Sequence, residues 1–322
     1  MSYLFANSDT QRQLLIAPSQ IVVATDLTDS EILLPHIVSQ ALAHHAHVTL
    51  VHAILPANLL TLDGTLSYPE QERLDRSITG MVIDFGARIR ALGVSCDVVA
   101  EHGFSADVIR KQIETRQATR LIVATHGRGK LGRLALGSVA AELLRSITVP
   151  IFAVGRHAAS QVMRHATPRK ILHPVSLTGN SLAHAEFVHA VAADCGAQLT
   201  LLHVLEADQP GRTDQAVLRA QHALRELLPS SGLQTKVDIQ VCLGERTEKI
   251  LEYADRISAD WIIAGLGAKP PYWPLQESTA YRLMASALCP VFTCGRKAIG
   301  EKPPLAALEE SRVSAQAGKL YS

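Results

Sequence analysis

The chain has 322 residues, of which 47% are hydrophobic, and its formal net charge is +1. That length accommodates two domains of ordinary size, and the near-neutral charge with only 4% aromatic residues argues against a nucleic-acid-binding surface. No apolar run approaches the roughly 20 residues that span a membrane, and the amino terminus lacks a secretory signal pattern, so we expect a cytoplasmic protein with no membrane partner.

Cysteine and histidine raise the question of a metal site. The five cysteines form no C-x-x-C pair and are odd in number, which is typical of reduced, mostly buried thiols. Among the 14 histidines, His44, His45 and His47 lie close together, but no cysteine or carboxylate stands at ligand spacing around them. We therefore predict a solvated helix end there and no metal site.

After a polar tail at residues 1–18, the chain alternates short β-branched runs with helical patterns. Asp26 and Thr28 are candidate caps of the first helix, and Ser105 is a candidate cap of a later one. Strands that alternate with helices pair in parallel through right-handed crossovers. The predicted strands of the first half are residues 21–25, 47–55, 94–103, 121–125 and 149–155.

The second half repeats this pattern in the same order. Four pairs of residues align: Ile21 with Ile171, His52 with His203, Gly103 with Gly244, and Pro150 with Pro290. The repeat predicts two copies of one domain, at residues 19–156 and 169–296. A linker at residues 157–168 separates them, and residues 297–322 form a second tail.

We predict an α/β fold for both copies: two tandem doubly wound parallel five-stranded sheets with the strand order 3-2-1-4-5, each in a three-layer α/β/α sandwich. Such a sheet binds its ligand outside the carboxyl ends of its strands, where the strand order reverses. In the first copy these ends supply Thr25, Asp26, His52, Ala53 and the segment 125–127.

A basic loop that contains glycine follows the fourth strand. Gly127 allows the backbone to pass close to a ligand, and Gly137 and Ser138 begin a helix whose unobstructed N–H groups attract phosphate. Alternatively, the loop is an ordinary basic surface connection before a capped helix. Asp26 likewise has two interpretations, as a group that accepts hydrogen bonds from a ribose or base and as a helix cap.

Six segments of the first copy stand in a characteristic order: VATDLT (23–28), LVHA (50–53), EHG (101–103), THG (125–127), GSVAAELLR (137–145) and VPIFAV (149–154). This order resembles the universal stress protein family, over residues 20–155 and more weakly over residues 169–295. ATP-binding members of that family carry a G-x2-G-x9-G-S/T motif. Gly127, Gly137 and Ser138 match its last three fixed positions, whereas Ala124 stands at the first glycine position.

The resemblance implies ATP as the ligand and leaves open whether Mg²⁺ accompanies it. Asp26 and the backbone near Ala53 would meet adenine and ribose, and the loop with the helix start would hold the phosphates. The predicted binding residues are Ala24, Thr25, Asp26, Ala53, Ala124, His126, Gly127, Arg128, Gly137, Ser138 and Val139.

The second copy differs at these positions. Glu277 replaces Gly137, and Ser176 replaces Asp26. A carboxylate at the helix start would repel phosphate, since two unit charges about 4 Å apart interact with about 4 kcal/mol at an effective dielectric constant of 20. The intervening loop, residues 268–276, contains three prolines and a single cation. We therefore predict that the second copy has lost nucleotide binding and serves as a structural partner. The alternative is that it binds a different ligand.

Three functional hypotheses remain. The first is a tandem universal stress protein that acts as a stress-response regulator, with one ATP-binding domain and one degenerate domain. The second is an enzyme, either a slow ATPase or a nucleotidyl-transferring relative, for which His126 could polarise a water molecule but no dedicated catalytic base is evident. The third is an interaction module without nucleotide, in which Ala124 has closed the site.

The fifth strand of each copy is short and apolar, and edge strands of this kind invite pairing. In the family these strands commonly join two domains. We therefore predict that residues 150–154 pair with residues 290–294 inside one chain and form a pseudo-twofold dimer. Whether two chains then form a homodimer stays open.

Overall fold

The structure of this chain is a computed structural model. It describes residues 16–55, 68–125, 138–147, 149–155, 158, 167–177, 181–206, 213–228, 236–266 and 278–294. Within these ranges, no helix combines the length and the apolar character that a membrane span requires.

The first half alternates strands and helices, as the sequence predicted. Its described elements are β1 (Gln20–Ala24), α1 (Ser30–His44), β2 (His47–Ile54), α2 (Tyr68–Ala91), β3 (Cys96–His102), α3 (Ser105–Thr115), β4 (Arg120–Ala124), α4 (Ser138–Ser146) and β5 (Ile151–Val154).

The second half follows the same order. Its described elements are β6 (Lys170–Pro174), α5 (Ser181–Cys195), β7 (Gln198–Leu205), α6 (Thr213–Glu226), β8 (Val237–Leu243), α7 (Arg246–Arg256), β9 (Trp261–Gly265), α8 (Thr279–Ser286) and β10 (Val291–Cys294).

The strands form one sheet in the order β3-β2-β1-β4-β5-β10-β9-β6-β7-β8. Pairing is parallel within each half, and β5 pairs antiparallel with β10, with Phe152 opposite Phe292. The predicted α/β class and the intrachain pairing of the fifth strands are confirmed. The two sheets of five are halves of one continuous sheet of ten, because β5 and β10 hydrogen-bond across the pseudo-twofold axis.

The first strand shows how the three layers arise. Successive side chains of a strand point to opposite faces, so a strand covered on both faces is apolar throughout. Ile21 and Val23 of β1 pack in the core that also contains residues of α1 and α2, whereas Val22 and Ala24 pack with residues of α3 and α4. Helices therefore cover both faces of the sheet.

Two helix caps differ from the prediction. Asp29, and not Asp26 or Thr28, is the N-cap residue of α1, and its side chain makes no capping hydrogen bond. Ser105 is the first residue of α3, and Phe104 occupies the cap position. In both cases, the chain turns into the helix one to three residues away from the small polar residue that the pattern indicated.

The prediction of a solvated histidine cluster is wrong for His44. Its side chain is only 10% exposed, and its Nδ1 atom lies 3.8 Å from the Oδ2 atom of Asp194. His45, which follows it, is exposed and ends α1 in the left-handed conformation. The end of α1 therefore packs against the second half, a contact that a local sequence pattern does not encode.

Candidate functional site

The carboxyl ends of β1, β2 and β4 lie side by side at the point where the strand order reverses. Ala24 pairs with Val51 in β2 and with Val123 in β4. The next residue, Thr25, extends the β1–β2 ladder, since its N–H donates to the carbonyl oxygen of Val51 at 3.1 Å. The structure thus places five predicted residues at neighbouring strand ends, namely Ala24, Thr25, Asp26, Ala53 and Ala124.

A buried histidine fixes this edge. The Nδ1 atom of His52 lies 2.8 Å from the carbonyl oxygen of Thr25. A carbonyl oxygen only accepts, so Nδ1 carries the proton and donates it to this contact. The sequence placed His52 and Ala53 together at the end of the second strand but assigned only Ala53 to the binding residues, although the alignment of His52 with His203 pointed to a shared role.

Asp26 organises the turn that follows β1. Its Oδ1 atom accepts hydrogen bonds from the backbone N–H of Thr28 at 2.9 Å and from the Thr28 hydroxyl at 2.6 Å. This is an Asx turn, in which the carboxylate replaces a backbone acceptor. The side chain is half-buried at the ligand edge of the sheet. Asp26 therefore holds the turn before α1 instead of capping the helix.

A second carboxylate, Asp29, lies beneath this turn. Thr25 donates its hydroxyl proton to Asp29 Oδ1 at 2.5 Å and accepts a hydrogen bond from the N–H of Leu27 at 2.9 Å. Leu27 has a φ of 70°, a left-handed conformation that a branched side chain adopts only when its surroundings hold it there. The Thr25 hydroxyl thus ties the turn to the start of α1.

Burial raises the pKa of Asp29 to about 6. The hydrogen bond from Thr25 opposes the rise, and the negative charge of Asp26 adds to it. Asp29 was missed in the sequence because only its burial, which comes from the tertiary structure, distinguishes it from the other acidic residues of the segment DLTDSE (26–31).

The phosphate side of the predicted site lies mostly outside the described residues. His126, Gly127, Arg128 and Gly137 belong to the undescribed segment 126–137. Ser138 begins α4, and Val139 lies half-buried in its first turn. A helix start follows β4 as predicted, whereas the geometry of the loop stays a prediction.

The second half repeats the backbone contact but not the side chains. The Nδ1 atom of His203 lies 2.8 Å from the carbonyl oxygen of Val175, as His52 lies from that of Thr25. Val175 has no hydroxyl to form the contact that Thr25 makes with Asp29. The scaffold of the two edges is therefore the same, and their polar groups differ.

Two further contacts distinguish the second edge. The imidazole of His184 lies against Gly265, so that a Cβ atom at Gly265 would come within 2.9 Å of the ring. At the start of α8, the Ser278 hydroxyl accepts a hydrogen bond from the N–H of Tyr281 at 3.2 Å. An imidazole thus fills space at the end of β9, and a serine cap already uses a backbone donor of α8.

Each half is a five-stranded parallel sheet with helices on both faces and polar groups where the strand order reverses, which defines the class of doubly wound α/β domains. The model of the universal stress protein family matches residues 19–155 and again residues 167–294. The chain therefore belongs to the universal stress protein family, as its sequence segments indicated.

Solved structures with the same fold include two universal stress proteins. One, from Archaeoglobus fulgidus DSM 4304, is 18% identical with a TM-score of 0.64, and the match covers 86% of this chain and 98% of that one. Another, from Pseudomonas aeruginosa UCBPP-PA14 and described as putative, is 18% identical with a TM-score of 0.59, and the match covers 92% and 98%. No curated protein matches the chain.

Proposed function

We propose that the chain binds one molecule of ATP through its first half and acts as a cytoplasmic stress-response regulator, not as a dedicated catalyst. The observation that carries this proposal is the difference between two equivalent edges. The first has Thr25 and Asp26, whereas the second has Val175 and Ser176 on the same backbone scaffold.

The described residues of the first edge fit the sugar and base of a nucleotide. Thr28 orients the Asp26 carboxylate, whose side chain is half-buried at the edge and could accept from a ribose hydroxyl or an adenine amino group. His52 and Thr25 hold the backbone next to Ala53, where the base would lie. These contacts support a preorganised site, since its acceptors are positioned by the protein itself.

The residues assigned to the phosphates fit by their chemistry. Gly127, Arg128 and Gly137 offer a small, basic loop, and Ser138 and Val139 offer N–H groups at a helix start. Bound ATP would place its negatively charged triphosphate next to this loop, and the phosphate oxygens could coordinate Mg²⁺. Ala124 lies at the end of β4, where it pairs with Val154. Its side chain is a single methyl group, which favours an open nucleotide site over a closed one.

The second half fits a structural role. His184 occupies the end of β9, Ser278 caps α8, and Glu277 precedes that helix. An anion at this helix start would meet a carboxylate instead of open N–H groups. We therefore assign the second half to support of the fold.

The test is calorimetric titration of ATP into the Gly137→Glu variant. This substitution gives the first half the glutamate that the second half has at the aligned position, Glu277. We expect ATP binding to fall at least tenfold, because the added carboxylate meets the phosphates. Gly80→Glu is the matched control, since a Cβ atom at Gly80 of α2 meets nothing within 4 Å. Unchanged affinity in the Gly137 variant would contradict the proposed site.

A further inference from the structure

A cavity of about 240 Å³ lies in the second half, at the amino ends of β9 and β10. It is lined by the last turns of α7, the end of α8 and the residues that precede the two strands. In this half, the edge equivalent to the candidate nucleotide site lies at the opposite, carboxyl ends of the strands. The described residues that line the cavity all belong to the second half, whereas the residues assigned to the nucleotide belong to the first.

The inner wall of the cavity is apolar. Ala254 and Ala259 are 7% and 3% exposed, and Cys289 is 5% exposed. Burial raises the pKa of the Cys289 thiol to about 12, so this side chain stays neutral. An engineered apolar cavity of about 150 Å³ stays dry and binds benzene. The cavity beside Ala254 is therefore large enough for a single ring.

The first half has a larger side chain at the position of Ala254. The N–H of Ala259 donates to the carbonyl oxygen of Ala254 at 2.8 Å, and the N–H of Ala118 donates to that of Ile113 at 2.9 Å. The helices α3 and α7 thus end with the same hydrogen bond, which makes Ile113 the counterpart of Ala254. Both residues are buried. The cavity therefore lies where the second half has exchanged an isoleucine for an alanine.

The mouth of the cavity carries negative charge. The carboxyl ends of α7 and α8 both line it, and such helix ends carry a partial negative charge. Glu252 is already paired with Lys249 at 2.6 Å, and Arg256 lies over the ring of Tyr253, 4.2 Å from its centroid. Asp255 is exposed and takes part in no ion pair with the described residues. Its carboxylate is therefore the group at the mouth that can receive a cation.

We infer that this cavity binds a small amine with a compact apolar body, such as a single ring. The ring occupies the space beside Ala254, and the ammonium group pairs with the carboxylate of Asp255. Burial of the ring supplies most of the affinity, because an exposed ion pair contributes little. An anion of the same shape is disfavoured by the negative mouth. The second half thus holds a ligand of its own besides supporting the fold.

The probe for this site is benzylamine, which joins one ring to an ammonium group at pH 7. Its affinity for the full-length chain is measured by saturation-transfer NMR without nucleotide. Benzyl alcohol and benzoate serve as the neutral and anionic analogues. Circular dichroism confirms that each variant is folded.

Two variants test the two parts of the site. Ala254→Ile fills the cavity with the side chain of the first half, and Asp255→Asn removes the charge at the mouth. The matched controls are Ala87→Ile and Asp84→Asn, which place the same substitutions at exposed positions of α2.

We expect Ala254→Ile to weaken benzylamine binding roughly tenfold or more, because the added side chain occupies the space of the ring. Asp255→Asn should weaken benzylamine binding about fivefold, which is the size of an exposed ion pair, and leave benzyl alcohol binding unchanged. Benzoate should bind more weakly than either analogue, and both control variants should bind benzylamine like the wild type.

The inference fails if the wild type does not bind benzylamine, or if Ala254→Ile binds it with unchanged affinity. Equal effects of Asp255→Asn on benzylamine and benzyl alcohol, or benzoate binding as tight as that of benzylamine, would also overturn it. If Ala254→Ile does not fold, the comparison of benzylamine with benzyl alcohol in Asp255→Asn decides, because Asp255 is exposed and its substitution leaves the core intact.

Discussion

The Nδ1 atom of His52 lies 2.8 Å from the main-chain oxygen of Thr25. His203 repeats this contact with Val175 in the second half. The two contacts hold the same backbone edge in both halves, and only the first edge adds the hydroxyl of Thr25 and the carboxylate of Asp26. A difference in ligand binding between the two halves would therefore come from these side chains, because the edge itself is a property of the fold.

These two histidines give a matched pair of variants. His52→Ala and His203→Ala each remove a contact to a backbone carbonyl and should each lower the free energy of unfolding by about 1–3 kcal/mol. Only His52→Ala should weaken ATP binding, because only that edge is assigned to the nucleotide. Urea unfolding and calorimetric titration measure the two effects. Weaker ATP binding in His203→Ala as well would argue against one site in the first half.

Asp29 should make the native state less stable as the pH rises from about 4 to about 6. Its pKa is raised to about 6 from 3.8, so between these values the native state binds a proton that the unfolded state has lost. The stability from this proton is lost as the pH rises through about 6.

Asp29→Asn removes that titration. Relative to the wild type, the free energy of unfolding of the variant should be higher at pH 8 than at pH 5, by about 1.4 kcal/mol. Urea unfolding at the two pH values measures the difference. A difference that is independent of pH would show that Asp29 does not titrate in this range.

The buried histidines should give a pH dependence of stability opposite to that of Asp29. Burial lowers the pKa of His36 and of His173 to about 4, so between pH 4 and about 6.5 the unfolded state binds protons that the native state excludes. The native state should therefore lose stability as the pH falls through this window.

His36→Leu tests this effect at one position, where the imidazole lies 5.9 Å from the Phe152 ring. Between pH 6.5 and pH 5, the variant should lose about 1.6 kcal/mol less stability than the wild type. Urea unfolding of the variant and the wild type at both pH values measures this difference. Parallel pH profiles for variant and wild type would exclude His36 as a contributor.

Two glycines of α2 test the packing of this helix on β3. A Cβ atom at Gly80 would meet nothing within 4 Å, whereas one at Gly86 would overlap the side chain of Val98. Gly80→Ala should stabilise the chain by up to about 1 kcal/mol through helix propensity. Gly86→Ala should destabilise it by about 1–3 kcal/mol through overpacking. Thermal unfolding of both variants measures these changes in stability. Equal changes for the two substitutions would contradict the packing of α2 on β3.

The fold was predictable because its signals are local or periodic. The run IVVA of β1 marks a strand buried on both faces, and the alignment of His52 with His203 reveals the repeat. The pairing of β5 with β10 was expected from their short apolar edges together with the resemblance to the family. Each of these features can be recognised within a few residues of sequence or by comparison of the two halves.

The remaining features depend on contacts between distant segments. His44 was predicted to be solvated because its own helix end is polar, yet Asp194, far along the chain, covers it. The burial of Asp29 and the approach of His184 to Gly265 arise in the same way. The strand ends of the candidate site were predictable from the sequence. The segment 126–137 lies outside the described residues, so its role in binding stays a prediction.

The central claim is that one half of a duplicated scaffold binds nucleotide. Native mass spectrometry of the full-length chain with excess ATP measures the number of nucleotides per chain most directly. We predict a single bound ATP, which is lost in the Gly137→Glu variant and retained in the Gly80→Glu control. Two bound nucleotides, or none at millimolar ATP, would contradict the account.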